Sequence, residues 1–319
     1  MMKVLITGAA GYIGSKLVGY LLKANSISLT NDTLFEVVAY DNLMYNQTSL
    51  LQYVGNPAFR FVKGDIRDIS TLRKEISKVD KVVHLAAWVG APLCDGDPKA
   101  ATEINHHATA SIVACLSPDQ EIIYPTSNSG YGVGGEDFCT EETPLNPISV
   151  YGVSKVGGEE SILSHSKSTA LRLATVFGVS PRPRLDLLVN DFTWRAWKDK
   201  CLVLFESHFR RNYIHIDDVC YTIKYFLRKG GTAEVYNVGL SDANLTKKEL
   251  ALSIKKILPR TAIIESEIGT DPDKRDYVIS NEKLENLGWS PSFSLEDGIN
   301  QLIEMFPMID TVDYKLRNS

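Results

Sequence analysis

The chain has 319 residues, 44% hydrophobic and 23% charged, with a formal charge of -5 at neutral pH. That is enough apolar material for two domains or one large α/β domain with an appendage, and the acidic balance argues against nucleic acid or an anionic membrane as a partner. Five widely spaced cysteines (Cys94, Cys115, Cys139, Cys201, Cys220) form no Cys-x-x-Cys pair and no Cys/His cluster at metal spacing, so no metal site is expected, and reduced thiols of a cytoplasmic protein are.

The N-terminus, Met1 to Ile6, is apolar for too few residues to make a signal peptide. No apolar run approaches the roughly 18 residues of a membrane span. Val4-Leu5-Ile6 reads as a buried strand, and Thr7-Gly8-Ala9-Ala10-Gly11-Tyr12-Ile13-Gly14 follows it directly. Glycines at this spacing permit a tight turn, a close backbone approach to a pyrophosphate and close helix packing. The helix that opens there, near 13–24, presents free N–H groups to phosphate. Gly8, Gly11, Tyr12, Ile13 and Gly14 are therefore candidate cofactor residues.

The second strand, around Val37–Tyr40, ends in Asp41-Asn42. A carboxylate there can accept hydrogen bonds from the adenosine ribose and repels a 2′-phosphate. No arginine follows closely in the sequence, so NAD is favoured over NADP. Asp41 stands further from the last glycine than the usual ~20 residues, and a polar loop insertion over Asn25–Thr33 accounts for the excess. Strands follow at Phe59–Val62, Val82–Leu85 and Ile122–Tyr124, with helices near 69–78 and 99–116. Asp65-Ile66 and Leu85-Ala86-Ala87, at the ends of the third and fourth strands, face the same cofactor. Adjacent residues on a helix point about 100° apart, so His106-His107 reads as a helix-surface pair, not a metal site.

The fifth strand leads into Thr126-Ser127-Asn128-Ser129-Gly130-Tyr131-Gly132, at the strand end where α/β sheets bind ligands. Next comes Tyr151-Gly152-Val153-Ser154-Lys155, which places a phenol and an ammonium on one helix face. A tyrosine of pKa about 10 is a poor base at neutral pH, but a cation at about 4 Å contributes roughly 4 kcal/mol toward its phenolate at an intermediate dielectric. Tyr151 would then take a hydroxyl proton while hydride leaves, with Ser127 holding the reacting oxygen. After a sixth strand at Ala170–Ala174 the pattern changes. Ser180-Pro181-Arg182-Pro183-Arg184 is rich in breakers, a helix follows near 186–199, and Asn212–Val219 leads into another.

Alternating strands and helices mean a doubly wound parallel sheet of Rossmann type. The expected division is a dinucleotide-binding domain from 1–177 with 212–238, and a smaller interwoven substrate lobe from 178–211 with 239–319.

Together these residues resemble the extended short-chain dehydrogenase/reductase superfamily, in its nucleotide-sugar epimerase/dehydratase branch. The resemblance rests on Gly8-x-x-Gly11-x-x-Gly14, Asp65-Ile66-Arg67-Asp68, His84-Leu85-Ala86-Ala87, Tyr151-x-x-x-Lys155 and Arg211–Asp218. It implies NAD as cofactor, a nucleotide-sugar substrate, Arg211 and Arg275 as ligands of the substrate diphosphate, and Ser127, Asn128, Ser129 and Asn190 around the sugar. It also implies a homodimer built on the helices at 99–116 and after Tyr151. Within that branch, the runs at 128–132, 174–182, 186–192 and 271–276 resemble the GDP-D-glycero-D-manno-heptose 4-dehydrogenases of capsular polysaccharide synthesis. Pro183 stands where that group has methionine.

Three outcomes follow from oxidation at C4. The 4,6-dehydratases carry Asp-Glu where this chain has Asn128-Ser129, and neither of these can move a proton at neutral pH. Elimination is therefore not expected. Simple C4 oxidation is the first expectation and 4-epimerisation through a transient ketone the alternative. A catalytically silent dinucleotide-binding protein, a further alternative, would usually have lost Tyr151 or Lys155.

Overall fold

The structure is a computed structural model, and it describes residues 1–27, 34–135, 137–266 and 275–310. Most of the 25–33 insertion and the Asp271–Lys274 run lie outside them.

The core is a seven-stranded parallel sheet. Its strands are β1 (Met2–Thr7), β2 (Phe35–Asp41), β3 (Phe59–Lys63), β4 (Lys81–His84), β5 (Glu121–Ser127), β6 (Ser168–Leu173) and β10 (Glu234–Val238). They lie in the order β3-β2-β1-β4-β5-β6-β10. The apolar runs explain the central strands: Val4, Leu5 and Ile6 of β1 and Val82 and Val83 of β4 are wholly buried, as strands covered on both faces must be. The order reverses between β1 and β4. Crevices for ligands open there, at the carboxyl ends of the strands.

Helix α1 (Tyr12–Ile27) starts where the glycine turn ends, so Asn25–Ile27 continue a helix and not the expected loop. Gly8 takes φ +69°, and a Cβ on it would meet the Ala86 backbone at 2.7 Å; one on Gly14 would meet the Gly8 carbonyl at 2.2 Å. Both glycines are thus demanded by protein packing, β1 against the end of β4 and α1 against the turn.

Helix α2 (Ile69–Ile76) is capped by Asp68. The helix expected over 99–116 is interrupted. After α3 (Ala91–Gly96), α4 (Pro98–Thr102) and α5 (Ala108–Val113) are joined by one wide π turn over Glu103–His107. That turn aims Asn105 inward, where its amide accepts from Trp88 N at 2.8 Å and donates to Trp88 O at 2.9 Å and Ser154 Oγ at 3.0 Å. His107 lies outside against Glu103, at 3.0 Å. Helix α6 (Val150–Leu163) opens on Ser149, which accepts from Gly152 N.

Beyond β6 the chain leaves the large sheet. β7 (Thr175–Phe177), β9 (Arg210–His215) and β11 (Asn244–Thr246) form a second sheet, and β8 (Cys201–Leu204) pairs with β12 (Ala262–Glu265). Helices α7 (Leu188–Lys198) and α9 (Lys247–Ile257) and the C-terminal helix Leu295–Ile309 belong to this part, whereas α8 (Ile216–Lys229) packs on α1 beside the large sheet. The chain returns once to the large sheet, as β10, a strand that the hydrophobic pattern did not single out. One apolar cluster runs from Val4 and Ile6 through Phe177 and Tyr213 to Trp289 and Phe306, joining both parts. Among the described residues no helix is long and apolar enough to cross a membrane.

Candidate active site

A cavity of about 930 Å³ lies along the carboxyl ends of β1, β2, β4 and β5. Gly8, Gly11, Tyr12, Ile13, Gly14, Asp41, Asn42, Asp65, Ile66, Leu85, Ala86, Ala87, Tyr151 and Lys155 all line it, with Ser127, Arg211 and Arg275. Each element end delivers its residues for a local reason. The carboxylate of Asp41 is buried at the end of β2, where Oδ2 accepts from Ala10 N at 2.9 Å and Oδ1 from Leu43 N at 2.8 Å, so it braces the glycine turn. Burial raises its pKa above the ordinary value, and those two amides oppose the rise. Asp65 is engaged by Arg67 (2.8 and 2.9 Å) and by Asn42 Nδ2 at 3.1 Å, and the arginine holds it well below the usual carboxylate range.

The reacting end sits where β5 meets α6. Burial pushes the Tyr151 phenol up, while a hydrogen bond with Ser127 and the guanidinium groups of Arg275 and Arg184 pull it down. Ser127 Oγ also accepts from Ser129 N at 3.1 Å, which fixes its rotamer. Lys155 lines the same cavity as the phenol, as the helical spacing suggested. Its Nζ donates to Pro125 O at 2.9 Å and lies 3.8 Å from the centre of the Tyr124 ring. Burial depresses its pKa to about 7, against the opposing pull of Glu159. Beneath it, neutral His84 ties Thr7 Oγ1 (2.7 Å) to Thr109 Oγ1 (3.0 Å), with its own pKa lowered to about 3 by burial and by Lys155. The floor of the site is therefore rigid.

Asn128, Ser129 and Asn190, expected beside the sugar, stand behind the cavity wall. Each is 1% exposed, and the lining passes from Thr126 and Ser127 to Ile148 without them. Asn190 spends its amide on backbone: Oδ1 accepts from Gly178 N at 3.1 Å and Nδ2 donates to Arg184 O at 2.8 Å. The turn Asn128–Tyr131 carries the chain inward, so its side chains point into protein.

The sequence reading passed over part of the wall. Tyr45, Arg182, Arg184, Asp186 and Lys247 also line the cavity. Arg184 pairs with Asp186, Nε to Oδ1 at 3.1 Å. The charge of Arg182 acts on Asp41 although the two are far apart in sequence. The available signal was the Arg-Pro-Arg run, two cations on a stiff segment just past a strand.

A dinucleotide fits these residues: a glycine turn at a helix N-terminus, a carboxylate at the end of the second strand and a buried guanidinium nitrogen, Arg182 Nη2, that has no hydrogen-bond partner among the described residues. The comparisons agree. A low-salt glycan biosynthesis protein of Haloferax volcanii is 29% identical, over 96% of this chain and 98% of its own. A dTDP-glucose 4,6-dehydratase from Streptomyces venezuelae, solved with NAD bound, superposes with a TM-score of 0.83 at 27% identity, over 96% of this chain and 97% of that one. A UDP-glucose 4-epimerase from Thermotoga maritima superposes at 0.82 with 25% identity, over 96% and 99%. Residues 4–239 match the model of the NAD dependent epimerase/dehydratase family. The chain belongs to that family and is an NAD-dependent enzyme.

Proposed function

We propose that this enzyme oxidises C4 of a nucleotide-linked sugar to the 4-keto sugar and stops there, with a GDP-heptose or related GDP-sugar as substrate. The sugar hydroxyl binds between Ser127 and Tyr151, and Tyr151 takes its proton. The bound cofactor supplies the hydride acceptor. Lys155 keeps a cation beneath that end of the site, and Ser127 holds the oxygen in line. Arg211 and Arg275 bind the substrate diphosphate, for which paired guanidinium groups are suited. On this reading residues 1–177 with 212–238 hold the cofactor, and 178–211 with 239–319 hold the nucleotide sugar.

The observation that carries the choice of reaction is the pair Asn128-Ser129. Expulsion of water across C5–C6 needs an acid and a base beside the sugar. These two residues are neutral, and they do not line the cavity. The epimerase relative supports a second reading, C4 inversion, which uses the same Ser127, Tyr151 and Lys155 and returns the hydride to the opposite face.

The test is to incubate the purified enzyme with GDP-heptose, GDP-mannose and UDP-glucose and to follow the products by NMR in D₂O. A 4-keto sugar with the C6 oxygen retained is expected from a GDP-sugar. An inverted C4 without net oxidation supports epimerisation, and a 6-deoxy-4-keto product overturns the exclusion of elimination.

A further inference from the structure

We propose that Arg182, carried by the smaller lobe, is a ligand of the cofactor's diphosphate and closes over it opposite the glycine loop. This rests on NAD as the cofactor and is independent of which sugar is oxidised.

Arg182 is 8% exposed yet lines the cavity. Its guanidinium lies on the face of Tyr45, with Cζ 4.6 Å from the ring centre, and its Nη2 is buried without a hydrogen-bond partner. A buried charged donor with nothing to donate to is costly, so an acceptor arriving with a ligand is its natural partner. The aromatic face supports the cation but does not satisfy that N–H.

Its position selects the ligand. Arg182 N donates to Ser180 Oγ at 3.3 Å, and Ser180 Oγ in turn donates to Tyr12 O at 2.7 Å and lies 3.2 Å from Ser15 Oγ. The segment is thereby tied to the first turn of α1, whose N-terminus receives phosphate. The guanidinium lines the same cavity as Asp41, Arg184 and Tyr151, and the charges of Asp41 and Arg184 act on it. Its tie to the first turn of α1 puts it with the glycine turn, where the middle of the dinucleotide, with its two phosphate charges, binds. Backbone N–H groups of the glycine turn meet the phosphates from the sheet side, and Arg182 supplies the compensating charge from the lobe.

The experiment measures NAD binding without turnover, so its failure is separate from any failure of the C4 reading. The full chain and its R182M and R182K variants are freed of cofactor and titrated with NAD and with NADP over a range of salt. They are then saturated with NAD and titrated with GDP-mannose. R182M is expected to weaken NAD by about 10- to 100-fold, R182K by less, and the salt dependence of NAD affinity is expected to flatten in R182M. GDP-mannose affinity at saturating NAD should not change. Tyr45→Leu, which leaves the charge and removes only its platform, should give a smaller loss of NAD affinity and serves if R182M does not fold. Unchanged NAD affinity in the variants overturns the proposal, as does a loss confined to GDP-mannose. NADP binding the wild type as tightly as NAD, with the larger loss in R182M, would move the guanidinium to the adenosine 2′ position and also overturn it.

Discussion

The two walls of the cavity are built by different rules. The sheet wall is assembled from strand ends, so each candidate residue sits at or just past the end of a strand: Gly8 after β1, Asp41 at the end of β2, Asp65 after β3, Leu85 after β4, Ser127 at the end of β5. The lobe wall comes from breaker-rich and irregular segments, Arg182–Asp186, Arg211, Lys247 and Arg275, whose neighbours are set by tertiary packing. Chemistry on the first wall follows from local geometry. On the second it follows from long-range charge placement, and the same residue type can serve a fold contact or a ligand contact.

That contrast is most sharply tested at the phenol. Tyr151→Phe keeps the ring and its packing and removes only the hydroxyl proposed to take the proton. A loss of roughly 10²- to 10⁴-fold in kcat is expected, with NAD content and melting temperature unchanged. A variant that also loses NAD would make Tyr151 part of the binding wall instead.

Next in size is a stability effect on the far side of the sheet wall. Glu159, one turn beyond Lys155, is buried against Arg172 with contacts of 3.1 and 2.6 Å, and Arg172 also donates to Tyr131 Oη at 2.9 Å. Glu159→Ala leaves a guanidinium buried without its counter-ion and is expected to cost about 3–5 kcal/mol in denaturant unfolding. A cost below 1 kcal/mol would mean that water already reaches the pair.

On the lobe wall the expected effect is smaller. Asn190→Ala strands Gly178 N and Arg184 O and should destabilise by about 1–3 kcal/mol. It should also weaken NAD binding, because it loosens the segment that carries both Arg182 and Arg184; an unchanged NAD affinity would mean that the segment holds its place without Asn190.

The last expected signal is electrostatic and is read as a dependence on pH. In the folded, cofactor-free protein Lys155 loses its proton near pH 7, whereas the unfolded chain keeps it to the ordinary lysine value near 10.4. Between those values the unfolded state binds more protons, so this residue makes stability rise with pH. Its burial cost is fully present below about 7. The wild type should therefore gain stability relative to Lys155→Met as pH rises from 7 toward 10, and parallel curves would contradict the depressed value.

Legibility in the sequence followed the same division. The cofactor side could be read because Gly8, Asp41, Leu85 and Tyr151 each carry a spacing relation to a strand or helix that fixes their direction. What the sequence did not give was tertiary in origin. Helical phase put Lys155 and Tyr151 in one cavity, but the Pro125 carbonyl and the Tyr124 face, which hold the ammonium, come from β5. Asn128 and Asn190 looked functional by residue type, but buried amides also satisfy backbone groups, and Asn190 does so. Arg182 was not singled out because only tertiary packing brings it into the same cavity wall as Asp41. The break at Glu103–His107 had no visible signal, since its residues fit an ordinary helix and only the demand of Trp88 for Asn105 widens the turn.

The most direct test of the central claim is a single turnover watched in both reactants. Wild-type enzyme loaded with NAD is mixed rapidly with GDP-heptose, and reduction of the nicotinamide is followed by absorbance while the sugar is quenched and analysed. The account predicts that nicotinamide reduction and a C4 ketone appear together at one rate, and that Tyr151→Phe slows both equally. A ketone formed without cofactor reduction, or full-rate reduction in the phenylalanine variant, would contradict it.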